Sequence, residues 1–188
     1  MNSKIDLRVQ RSRRLLKEAL LQLMKQKSFR DIQVTEIADQ AQVARPTFYL
    51  HYQSKQELLL SYVDDVFNEF YVALSVTFDS DLTDSKQQNV MLFQYWERYA
   101  DILRMVIEAD IHDEFRTRMR DYFSQVIAQF VPNDHRTDDP RREFIIDFVS
   151  GGAYSLLTHW IMQGMPYSAE QMGALLHELT GGYKNFLK

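Results

Sequence analysis

Apolar residues recur along this chain at three-and-four spacing over long runs, interrupted by only six glycines and four prolines. That spacing puts side chains on one face of an α-helix, whereas a half-buried strand needs strict alternation. Hairpins and parallel crossovers would also need turn residues at shorter intervals than the chain provides. The expected fold class is therefore all-α, with about nine helices. The first stripe, Leu16, Ala19, Leu20, Leu23 and Met24, belongs to a helix expected over Asp6–Lys27.

Charge divides the chain more sharply than composition does. Residues 1–55 hold eleven Lys or Arg against five Asp or Glu, and residues 56–188 hold eleven against twenty-one, so a net of −4 hides a basic head (+6) on an acidic body (−10). Such a head suits a polyanion, although a solvated basic surface would look the same; Arg8, Arg11, Arg13, Arg14 and Lys17 crowd the start of the first helix, where the macrodipole disfavours them. The absence of cysteine excludes disulfides, thiolate zinc sites and cysteine nucleophiles, and fits a reducing compartment. No signal peptide is expected, and no apolar run reaches membrane-spanning length.

Thr35 is a plausible N-cap for a short helix, Thr35–Gln42, whose Ile37, Ala38 and Ala41 face inward. After a Val43-Ala44 turn, Pro46 lies in the first turn of a second short helix ending near Tyr52. Two short helices joined this tightly make a helix-turn-helix. Ser54-Lys55-Gln56-Glu57 reads as a capping box opening a long connector helix to about Phe78. Beyond a loop at Asp79–Ser85, helices are expected over Lys86–Ala109, divided near Arg98, and over His112–Val131. After a loop at Pro132–His135, Asp139-Pro140 starts a helix ending at Gly164, and the capping box Ser168–Gln171 opens a last one reaching Gly181-Gly182. The expected domains are residues 1–55 and 56–188.

Ile37-Ala38, Ala41, Val43, Thr47-Phe48-Tyr49, His51-Tyr52 and Ser54-Lys55 are spaced as in the tetracycline-repressor (TetR/AcrR) family of bacterial regulators, which this segment resembles. The resemblance implies an N-terminal three-helix helix-turn-helix domain that binds double-stranded operator DNA, followed by a helical effector-binding and dimerisation domain. A recognition helix presents short polar groups and donors to base edges and phosphates, a face that Arg45, Thr47, Tyr49, Leu50 and His51 would supply, with Pro46 in its first turn. Arg45 suits bidentate reading of guanine, and Thr47 an edge or a thymine methyl. Phe48 and Tyr52 are assigned to the core. By resemblance, Tyr49, His51 and Lys55 contact the DNA backbone, and Thr35 adds a contact from the supporting helix. Gln42 and Pro46 stand where the family usually has glycine, and Ala44 where it has a capping serine. Gln42 must then accept a left-handed backbone.

Phe148-Val149, Gly151-Gly152-Ala153, His159-Trp160-Ile161 and Gly164-Met165-Pro166-Tyr167-Ser168 are similar to the ending of a regulator subgroup common in Gram-positive bacteria. The family's homodimer forms through its last two helices. This implies close approach at Gly151, Gly152 and Ala153 and apolar contact from Leu156, Trp160, Met172, Leu175, Leu176 and Leu179. Burial within one copy is the alternative for each.

Met91, Tyr95, Trp96, Tyr99, Met105, Met119, Tyr122 and Phe123 could line a pocket for a hydrophobic or aromatic effector, or serve as core. Asp110, His112, Asp113 and Glu114 cluster as metal ligands do, but capping explains them equally, and no metal or cofactor is expected. No nucleophile elbow, phosphate loop or dinucleotide fingerprint supports an enzyme. The leading expectation is a cytoplasmic, nucleoid-associated bacterial repressor released by a small molecule, with no membrane partner. A ligand-independent regulator or co-activator acting through protein partners comes second, and a small helical enzyme or binding protein third.

Overall fold

The computed structural model describes residues 2–77, 85–130 and 140–181, and every statement about structure below concerns those residues. They form nine α-helices and one 3-10 turn: α1 (Asn2–Met24), the turn (Phe29–Asp31), α2 (Val34–Gln40), α3 (Arg45–His51), α4 (Lys55–Thr77), α5 (Ser85–Arg98), α6 (Ala100–Glu108), α7 (His112–Phe130), α8 (Arg141–Met162) and α9 (Ala169–Thr180). The expected loops at Asp79–Asp84 and Pro132–His135 lie outside the described residues, as does Asp139.

Two compact units result, residues 1–65 with 105–112 and residues 66–104 with 113–188. The first runs ten residues past the expected boundary at 55 and takes in the end of α6. Its core holds Leu16, Leu20, Phe29, Ile32, Ile37, Ala38, Phe48, Leu58, Leu59 and Val63. α1 ends three residues short of Lys27, because the chain must turn there: Ser28 caps the 3-10 turn by accepting the Arg30 N–H at 3.3 Å, and the Lys27 ammonium reaches both Glu36 carboxylate oxygens at 2.6 and 2.7 Å. Between α2 and α3, Gln42 takes φ 54°, the left-handed conformation its position demands, at a cost on the order of 1 kcal/mol for a residue with a side chain.

The second unit is built on aromatic packing. Trp96 and Phe115 are fully buried around Phe67, with ring centroids 5.1–5.6 Å apart, and Phe70 stacks on Tyr122 at 5.3 Å. α9 lies against α5 so closely that a Cβ on Gly173 would sit 2.5 Å from the Val90 main chain. Gly173 is thus a close-approach glycine within the copy, while Gly151 and Gly152, expected at a contact with a second copy, have open space around them on α8. The Ser168–Gln171 box closes reciprocally, with Gln171 N–H to Ser168 Oγ at 3.3 Å and Ser168 N–H to Gln171 Oε1 at 2.9 Å. Among the described residues no helix is long and apolar enough to cross a membrane.

Candidate nucleic-acid interface

α3 has only seven residues, and its packing decides which of them look outward. Phe48 is fully buried and Tyr52 nearly so, as expected for core positions. At about 100° per residue, Pro46 and Leu50 point within about 20° of the direction opposite Phe48, whereas Tyr49 and Arg45 lie about 100° and 60° round from Phe48, and all four are exposed. Thr47 and His51 lie on a half-buried flank. Two i,i+4 pairs are therefore exposed, about 100° apart round the helix: Arg45 with Tyr49, and Pro46 with Leu50, the second facing most directly away from the core. In the first, the Arg45 guanidinium carbon lies 5.6 Å from the Tyr49 ring centroid and Nη2 donates to the phenol oxygen at 3.4 Å. Burial, and then the charge of Arg13, hold the His51 pKa below its usual value, so at neutral pH the imidazole is an uncharged hydrogen-bonding group.

Two expected contacts sit differently from the sequence reading. Thr35 is not an N-cap: α2 starts one residue earlier, Gln33 is its cap, and the Glu36 carboxylate accepts the Gln33 N–H at 2.8 Å. Thr35 remains exposed in the first turn. The Lys55 ammonium is engaged internally, donating to the carbonyls of Phe29, Arg30 and Ile32 at 2.8, 2.9 and 2.7 Å and lying 4.8 Å from the Phe29 ring centroid. Three donors thus meet three carbonyls. The box at Ser54 closes one residue wider than expected, with Glu57 N–H to Ser54 Oγ at 3.1 Å and the Glu57 carboxylate on the Gln53 N–H at 2.6 Å.

In the second unit, α8 is apolar on two sides. Ile146, Val149, Ala153, Leu157, Trp160 and Ile161 form its core face, while Phe144 and Phe148 opposite are 75% and 70% exposed. Met162, also 52% exposed, extends that outer face past Gly152 and Ser155, and α9 exposes Leu175 and Leu179. The residues expected at a dimer contact divide between these settings. Trp160, Met172 and Leu176 are buried within the copy, Trp160 because its indole N–H also donates to the Tyr167 carbonyl at 2.9 Å. Leu156 is half-buried, and Gly152, Leu175 and Leu179 are exposed. Phe144, Phe148 and Met162 are exposed apolar side chains that the sequence reading did not assign to a contact.

The residues expected to line an effector pocket differ in burial. Trp96, Met119 and Tyr122 are core, Met91, Tyr95, Tyr99 and Phe123 are half-buried, and Met105 belongs to the first unit. Tyr95 and Tyr99 both donate to one Glu69 oxygen, at 3.1 and 3.0 Å. Trp96 Nε1 is buried without a hydrogen-bond partner. A polar cavity of about 380 Å³ lies between α7 and α8, lined by Arg116, Thr117, Arg120, Asp147, Ser150 and Gly151, with Arg120 paired to Asp147 and Glu143. Asp110, with φ 58°, pairs with His112 at 3.5 Å.

A helix-turn-helix unit with an outward-facing second helix, joined to a wholly helical second unit, defines a class of DNA-binding regulators. Residues 16–62 match the model of bacterial regulatory proteins of the tetR family, and residues 83–182 match a transcriptional regulator C-terminal region of that family. The chain belongs to the tetR family of bacterial transcriptional regulators, proteins that act by binding DNA and not as enzymes. It is 34% identical over 68 residues to the HTH-type transcriptional regulator EthR of Mycobacterium tuberculosis and of Mycobacterium bovis, a match covering 36% of this chain and 31% of those proteins. The matched stretch is thus about a third of the curated relatives. The fold is similar to that of the dihydroxyacetone kinase operon activator DhaS, with a TM-score of 0.60 at 19% identity over 92% of this chain and 95% of that one. The fatty acid degradation regulator FadR from Bacillus halodurans gives 0.54 at 17% identity, over 90% and 94%.

Proposed function

We propose that this chain is a homodimeric repressor acting in the bacterial cytoplasm, reading an operator through α3 and released by a small molecule bound in the second unit. The outer face of α3 carries the reading: Arg45, Pro46, Tyr49 and Leu50 stand exposed on a rigid support in the basic part of the chain. Thr35, Thr47 and His51 border that face. Selection of bound sequences from random duplex DNA should recover a two-fold symmetric operator. Arg45→Ala should then flatten preference at one base pair of each half-site by about 1–3 kcal/mol, the value of a bidentate guanine contact. Selection of no preferred sequence by the wild-type chain would defeat the proposal.

Lys55 is assigned a positioning role, because its donors meet three carbonyls around the 3-10 turn. Lys55→Met leaves those carbonyls without the ammonium. Both thermal stability and operator affinity are expected to fall, while the slope of log K against log salt stays unchanged. Loss of a phosphate contact from both half-sites would lower that slope by about two and leave stability nearly intact; that outcome would restore Lys55 to the DNA surface.

The unpartnered Trp96 N–H supports an effector that is largely apolar and offers one acceptor, since a buried donor without a partner costs about 1–3 kcal/mol. The close ring packing around it favours a second reading, a regulator working through protein partners without a small molecule. Linkage separates the two: a true effector weakens operator binding by the factor by which operator weakens effector binding. The Gram-positive subgroup reading rests on the sequence from Phe148 to Ser168 alone.

A further inference from the structure

The second pair on the outer face of α3 is unlike the first. Leu50 is 81% exposed, more than any other large apolar side chain described, and it stands four residues after Pro46, itself exposed. Neither side chain can donate or accept a hydrogen bond. An apolar patch fully in water on the most outward part of a DNA-reading helix gains nothing from a phosphate and nothing from a polar base edge. One feature of the major groove rewards it: the C5 methyl group of thymine, an apolar projection that cytosine and the purines lack.

Resting on the DNA-binding reading of α3, we propose that Pro46 and Leu50 form a thymine-methyl sensor that helps set operator sequence. The surrounding charge makes duplex DNA the fitting occupant. Arg45 is exposed on the same helix, Arg8, Arg11, Arg13 and Arg14 are exposed on α1, and residues 1–55 carry a net +6. A hydrophobic protein partner would gain little from such a setting. The hydroxyl-free side chain at position 50 makes the contact selective for a methyl group over an acceptor or donor.

Replacing thymine by deoxyuridine removes only that methyl and keeps base pairing and the O4 acceptor, which gives a direct test. The full-length chain is measured against its selected operator and against versions carrying deoxyuridine at each thymine position in turn. One position per half-site should weaken binding about fourfold, and about fifteenfold when both half-sites are changed, from the roughly 0.8 kcal/mol value of one buried carbon. Leu50→Ala, a change at an exposed site that leaves the core untouched, should bind the thymine and deoxyuridine operators equally. Binding without thymine–uracil discrimination at any position, or discrimination that survives Leu50→Ala, would overturn the sensor and leave the DNA-binding reading standing. Absence of any preferred duplex would overturn both.

Discussion

Gly173→Val is expected to unfold the second unit at a temperature about 6–12 °C lower than the wild type, the largest stability loss of any exchange at a described glycine. A Cβ at this position meets the Val90 main chain at 2.5 Å and its Cγ2 at 2.7 Å. Main chain cannot rotate away, so α5 and α9 must part and the contacts around Met172 and Leu176 loosen with them. Overpacking of this kind costs about 1–3 kcal/mol, with the branched side chain at the upper end, and a chain of this length loses about 2–4 °C per kcal/mol. Gly151→Ala is the control. Its Cβ meets nothing within 4 Å, and alanine is favoured over glycine in a helix by about 0.8–1.0 kcal/mol, so its melting temperature should hold or rise. Calorimetry in which both variants melt together would show that α5 and α9 are not in close contact.

Phe144→Asp with Phe148→Asp should give a chain that sediments as a monomer and binds operator at least about a hundredfold more weakly. The two rings are 75% and 70% exposed on the side of α8 away from its core, so removing them costs the single copy little. Burial of a phenylalanine contributes about 1.5–3 kcal/mol, and a two-fold interface counts each ring twice, so the double change takes about 6–12 kcal/mol from association. Separated heads lose the effective concentration that links the two half-sites, an advantage of about 10²–10⁴. Unchanged melting together with monomeric sedimentation would tie the loss to association. A surviving dimer at micromolar concentration would put the interface elsewhere.

How much of this the sequence disclosed depends on where each residue's partner lies. The break between α5 and α6 at Tyr99 and the capping box at Ser168 are local, set by residues within one turn of each other, and were legible, whereas the left-handed backbone at Gln42 was implied by the family resemblance. Phe48 and Tyr52 were assignable to the core and the outer face of α3 to solvent, because a seven-residue helix with one buried edge leaves few choices. Contacts across the sequence were not legible. Lys55 meets carbonyls some 23 to 26 residues away, and Gly173 meets Val90 on another helix. Nothing in the residues near Lys55 distinguishes an ammonium aimed at carbonyls from one aimed at phosphate. The aromatic run from Met91 to Phe123 is a different case: composition says that rings will be buried, but not whether they bury one another or a ligand.

The brevity of α3 has a thermal consequence. Isolated helices of fewer than about 12–15 residues are marginal in water, so these seven residues owe their shape to Phe48 and to the hydrogen bond from the Tyr52 N–H to its carbonyl at 2.9 Å. A peptide of residues 44–52 would be an unstructured chain with no reading surface. Recognition is therefore a property borrowed from the cooperativity of the surrounding unit, and warming that frays the packing under Phe48 should erase sequence preference before general attraction to DNA, which needs only positive charge.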